Sequence, residues 1–153
     1  MEYKCYDQSY DHLKTALERN KEFTNDSGAE QYQLYILKLL AQTCLESHRI
    51  KESLLYLEEA EEICKENEDF GNDGKDYAQI LAFKGDYYYM NEKYGEAIDC
   101  FEKVWEIYEK LDGKDSEGCA NSLKQIAKIY DSMGNVESAL QCLEECIGTF
   151  FCD

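Results

Sequence analysis

Proline is absent from all 153 residues, so no helix in this chain is broken from within and none must end where a proline would stop it. Basic side chains are scarce too, 16 against 33 acidic ones, which gives a net charge of −17. Phosphate binding draws on clustered Lys and Arg, so nucleic acid is not expected as a partner, and an anionic membrane surface would repel the chain. No apolar run approaches the ~20 residues of a bilayer span, and the N-terminal M-E-Y-K-C-Y-D has no signal-peptide core. The expectation is a cytoplasmic protein. Ligand spacing is also missing: none of the eight cysteines sits in a C-x-x-C pair, and His12 and His48 bear no ligand spacing to one another. The D-F-G-N-D-G of residues 69–74 starts like a calcium loop, yet Gly71 and Ile80 occupy its third and twelfth positions, where ligands are required. No metal or cofactor is expected. Neither histidine accompanies a nucleophile in a recognisable motif, and carboxylates at i, i+3 and i+4 are what a solvated helix face carries, so the chain reads as a non-enzyme.

What is present is a repeat. Residues 81–101 read L-A-F-K-G-D-Y-Y-Y-M-N-E-K-Y-G-E-A-I-D-C-F. Around the small residue Gly85, Leu81, Tyr88, Ala97 and Phe101 fall at offsets −4, +3, +12 and +16. The same offsets around Ala127 give Leu123, Tyr130, Ala139 and Leu143, and around Ala41 they give Leu37, Cys44, Ser53 and Leu57. Size class agrees at every anchor. The copies stand 44 and 42 residues apart, a period that signals stacked helical hairpins and not a single compact core.

This pattern resembles the tetratricopeptide repeat family, whose signature runs W-x2-L-G-x2-Y…A-x3-F…P. Leu stands at the Trp position and the closing proline is missing, which lets the second helices, as in E-E-I-C-K-E-N-E and V-W-E-I-Y-E-K-L, run on. The stretch E-I-Y-E-K-L-D-G-K-D-S-E-G-C-A-N-S-L-K-Q-I-A-K-I-Y, residues 106–130, is similar to the long-period repeats of kinesin light chain and related adaptors. The resemblance covers roughly residues 30–148 and implies an all-α fold: a right-handed superhelical solenoid of antiparallel helix pairs.

About seven helices are expected in one domain over 1–153. The pairs are 30–46 with 50–66, 76–91 with 94–111, and 116–133 with 136–149, turning at S-H-R, N-E-K and M-G-N. A solitary helix over 3–22 precedes them and imitates the second helix of a repeat, since Ser9, Leu13 and Ala16 stand 44 residues before Ser53, Leu57 and Ala60. N-D-S-G, residues 25–28, reads as a loop. Most cysteines occupy packing slots, as small hydrophobes.

Function is therefore expected on a surface. The first helix of each pair lines the concave side, which offers Tyr35, Lys38, Gln42 and Leu45, then Gln79, Ala82, Asp86 and Tyr89, then Asn121, Lys124, Lys128 and Asp131. Tyrosines give large contact area at low entropy cost. The family's clamp for a peptide's terminal carboxylate is not expected, because Lys38 alone matches it, Gln42, Phe83 and Gln125 replace its other donors, and Asp86 brings negative charge. Three roles follow from the resemblance: an adaptor that holds a peptide of a protein partner in this groove, a structural subunit docked in a large assembly through its apolar ends, and a regulatory peptide-receptor segment of a larger protein. The acidity admits two readings, solubility and the steering of a basic partner. Leu140, Leu143 and Ile147 form an apolar stripe at the C-terminal end, to be covered by Phe150 and Phe151, by a partner or by a second copy.

Overall fold

A computed structural model describes residues 2–22, 27–66 and 74–151, and the side chains of 6–22, 28–66 and 74–148. Every regular element there is an α-helix: α1 (Glu2–Lys21), α2 (Ser27–Glu46), α3 (Ile50–Glu66), α4 (Lys75–Met90), α5 (Tyr94–Asp112), α6 (Glu117–Ser132) and α7 (Val136–Phe151). Only α2 departs noticeably from its expected bounds. It starts at Ser27, within the expected N-D-S-G loop, where Glu30 places a favourable negative charge in the first turn. The chain forms two compact units, residues 1–72 and 73–153.

In the first unit α3 packs along α2 and α1 lies against α2. Leu34, Leu37, Leu40, Ala41 and Cys44 of α2 are fully or almost fully buried, as are Ser53, Leu57, Ala60 and Cys64 of α3. Ser53 is tolerated there because its hydroxyl donates to the Ile50 carbonyl at 2.7 Å. A polar latch reaches from α1 to α3: the Tyr10 hydroxyl donates to Glu52 Oε2 at 2.7 Å and lies 2.9 Å from the Tyr56 hydroxyl. Arg49 stacks over the Tyr10 ring, 4.5 Å from its centroid, and pairs with Asp7.

The second unit is a chain of neighbours, α4 on α5, α5 on α6 and α6 on α7. Gly85 lets α4 and α5 meet. A Cβ placed on it would stand 2.6 Å from the Phe101 ring, so only glycine fits. Further along the pair, Ala78 and Leu81 pack against Val104 and Ile107, so the register falls on one helix as it rises on the other and the pair is antiparallel. Phe101 then extends to Ile126 and Ile129 of α6. Gly118 repeats the device between α5 and α6, with a Cβ there meeting the Tyr108 ring at 2.2 Å. Cys44, Cys64, Cys100 and Cys119 are buried and Cys142 and Cys146 half-buried, and none of these six forms a disulfide. Burial pushes the Cys44 thiol up to about 11, which keeps it protonated and inert. The side chains of Cys5 and Cys152 lie outside the described residues.

All three hairpins turn in the same way. Arg49 N–H donates to the Cys44 carbonyl at 2.8 Å, Lys93 N–H to Tyr88 at 2.9 Å, and Asn135 N–H to Tyr130 at 2.9 Å. His48, Glu92 and Gly134 donate to carbonyls three residues back at 3.2, 3.0 and 2.9 Å, which completes a Schellman closure each time. These three residues carry positive φ of 59°, 59° and 76°. Each stands seven places after its small anchor, so the turn belongs to the repeat as much as the helices do. A side chain in that conformation costs about 1–2 kcal/mol, and only the third copy uses glycine. Glu92→Gly should therefore stabilise the chain by about 0.5–1 kcal/mol, and Gly134→Ala should destabilise it by about 1 kcal/mol. Urea denaturation of the two variants checks both signs.

Candidate partner-binding groove

Tyr35, Lys38 and Gln42 share one face of α2, at i, i+3 and i+7. Tyr35 is 58% exposed, and Tyr32, one turn earlier, is 68% exposed. The Gln42 amide donates to Glu46 Oε1 at 2.9 Å. Leu45 does not join this face: it is buried, because it lies in the last turn of α2, where the chain folds back through the Schellman closure.

In the second unit the structure brings Gln79, Asp86 and Asn121 to one cleft of about 180 Å³. Gln79 and Asp86 come from α4 and Asn121 from α6, with Phe101, Val104 and Tyr108 of α5 at its apolar base. The spacing 79, 82, 86 and 89 keeps four residues on one side of α4, which is why the cleft follows that helix. Tyr89 follows Asp86 by three residues on α4 and lies outside the lining of the cleft. Its hydroxyl lies 2.9 Å from the Ser132 hydroxyl, and Lys128 Nζ sits 4.5 Å from its ring centroid. Tyr89 is thus held between two contacts from α6.

Asp86 is the unusual group. Burial pushes its carboxyl above the ordinary carboxylate range, and the positive charge of Lys128 opposes that shift without cancelling it. Lys124 and Lys128 also border a second depression of about 340 Å³, whose other wall is Val136, Leu140 and Leu143 of α7. Val136, Leu140 and Ile147 are 57%, 55% and 57% exposed and Leu143 is 41% exposed, whereas Leu57 and Phe101, at the same repeat position as Leu143, are buried. Phe101 gains its cover from α6, the first helix of the following hairpin. The Phe150 and Phe151 side chains lie outside the described residues.

Both the packing and the turns repeat with the anchors. A family model described as the tetratricopeptide repeat matches residues 76–150. Residues 76–150 are tetratricopeptide repeats. Among solved structures, a crystal structure of BtubC (BKLC) from P. vanneervenii superposes with a TM-score of 0.82 at 20% identity, over 95% of this chain. That likeness shows a shared helical-repeat fold, with this chain spanning 56% of the length of BtubC. No curated protein sequence matches the chain. Helical repeats of this class present extended concave surfaces suited to contact with other proteins. Among the described residues no helix is long and apolar enough to cross a membrane, and no three His, Cys, Asp or Glu side chains are grouped to hold a metal ion.

The sign of the Asp86 effect is fixed by its direction. A carboxyl raised in the folded state binds its proton more tightly there than in the unfolded chain, so stability falls as pH rises from the unfolded to the folded value and stays reduced above it. Asp86→Asn should raise the melting temperature at pH 7, and the advantage should fade as the pH falls into the ordinary carboxylate range. Thermal melts of the variant and the parent from pH 3.5 to 7.5 check this.

Proposed function

We propose that the chain is a non-enzymatic adaptor that binds a peptide segment of a protein partner along the first helices of its repeats. The observation that carries this reading is Asp86. It is a carboxylate desolvated in a cleft, with no hydrogen-bond donor from the described residues and only Lys128 in opposition. Such a group costs stability in the free chain and returns it when a ligand donates an N–H or brings a positive charge. Gln79 and Asn121 beside it can pair with a peptide main chain, and Tyr89 supplies flat aromatic area. Tyr35, Lys38 and Gln42 form the corresponding α2 face, to which Tyr32 adds a second exposed ring. The net charge of −17 favours approach of a basic segment, and that attraction is screened by salt.

A second reading is favoured by one observation, the exposed stripe on α7. Val136, Leu140, Leu143 and Ile147 follow the i, i+4, i+7, i+11 spacing that pairs helices. The same patch carries cations, Lys124 and Lys128, and an anion, Asp131. A surface with both signs is self-complementary, so the occupant in this reading is a second copy of the chain.

One series of variants separates the two. Affinity capture from the source cell should retain a protein with the parent chain and lose it with Asp86→Asn combined with Tyr89→Ala, the helical content of the variant being unchanged by circular dichroism. Higher salt should slow its association more than it speeds dissociation. Leu140→Glu combined with Ile147→Glu should leave that capture intact and abolish any concentration-dependent mass seen by light scattering. Capture that depends on the α7 pair and not on Asp86 and Tyr89 would transfer the site to the C-terminal face.

A further inference from the structure

A third recessed surface in the same unit shares no lining residue with the Asp86 cleft. α6 packs on both α5 and α7, and the space left between those two is a depression of about 320 Å³. Leu123 and Ile126 of α6 form its apolar floor. Trp105 of α5 and Tyr130 of α6 are its aromatic walls, and Glu102, Glu106 and Glu145 stand around it.

Its charge is of one sign. Glu102 and Glu106 lie one turn apart on α5, a spacing at which like charges repel, and Glu145 faces them from α7. Glu102 and Glu145 both act on the Cys142 thiol between them, with burial the larger influence in holding that thiol protonated, so the two carboxylates converge from different helices. None of the three is paired with a cation among the described residues, and no lysine or arginine lines the depression. The three are not grouped so as to hold a metal ion. The Trp105 indole N–H is shielded from solvent and has no hydrogen-bond partner.

An occupant must therefore be cationic, must tolerate aromatic walls and must offer donors to carboxylates spread over two helices. A guanidinium meets all three conditions: it is planar, stacks on aromatic rings, and carries five donors that can serve more than one carboxylate. An ammonium also sits over aromatic faces, but it is a compact, strongly hydrated point charge without the planar fork, and so serves separated carboxylates less well. The volume lies at the lower end for ligand pockets, which is room for one side chain.

We propose that this α5–α7 depression is a second recognition site, which takes an arginine side chain of a protein partner between Glu102, Glu106 and Glu145 and against Trp105. A partner that laid a peptide along α4 and set an arginine here would engage two faces of the same unit.

Trp105 is the only tryptophan in the chain, so intrinsic fluorescence reads this site directly. The probes are the acetylated, amidated peptides GRGRGR, GKGKGK and GEGEGE, titrated into the intact chain. The arginine peptide should give a saturable change, the lysine peptide one at least threefold weaker, and the glutamate peptide none. Glu106→Gln combined with Glu145→Gln should weaken the arginine peptide at least fivefold without altering the melting temperature, and Asp86→Asn should leave it unchanged. Equal response to arginine and lysine, an arginine response indifferent to the double Gln variant, or one lost in Asp86→Asn would overturn the proposal. Failure of the Asp86 reading leaves this titration untouched, so the two can fail separately.

Discussion

The close approach of Gly85 to Phe101 is the contact on which the second unit depends. With no Cβ at Gly85, the ring of Phe101 can lie against the α4 backbone and still reach Ile126 and Ile129 of α6. A single aromatic side chain thereby joins two hairpins. The cleft along α4 is built on the same contact, because Phe101 lines its base. Ala127 holds the equivalent position in the last described hairpin, where the residue opposite it in the pattern, Leu143, is exposed. The same repeat position is thus buried at Phe101, under α6, and open at Leu143.

The α4 cleft and the α5–α7 depression differ in how their charge is compensated. In the α4 cleft Asp86 is desolvated and opposed by one lysine, which is itself engaged with the Tyr89 ring. In the α5–α7 depression three carboxylates share aromatic walls with no cation among the lining residues. Neither arrangement minimises the free energy of the isolated chain, and both are relieved by a cationic or donor-rich ligand. Overall acidity would bring such a ligand in, but the local geometry decides where it stays.

The repeat was legible in the sequence because its anchors are packing positions, and packing constrains size: Gly85 must be small whatever the partner does. The turns were legible by position though not by chemistry, since His48 and Glu92 fill a slot that usually takes glycine. Leu45 was misplaced on the groove because its spacing from the anchor suits an exposed face, while the end of α2 turns it inward. Of the groove residues, Gln79, Asp86 and Asn121 meet in one cleft, as periodicity alone could suggest. Lys124 and Lys128 border the end face as well, which depends on how α7 lies. The α5–α7 depression left no local mark beyond two glutamates flanking Trp105. It arises between helices that are not neighbours in the chain, and no period records such a gap.

A double-mutant cycle at Gly85 and Phe101 tests the packing claim most directly. Gly85→Val should cost about 1–3 kcal/mol by overpacking against the ring. Phe101→Leu should cost about 1–2 kcal/mol for the lost burial. If the close approach sets the register, the two changes combined should cost clearly less than their sum, with a coupling of at least about 0.5 kcal/mol, because leucine vacates the space that valine needs. Strict additivity, or a Gly85→Val chain as stable as the parent, would contradict the account.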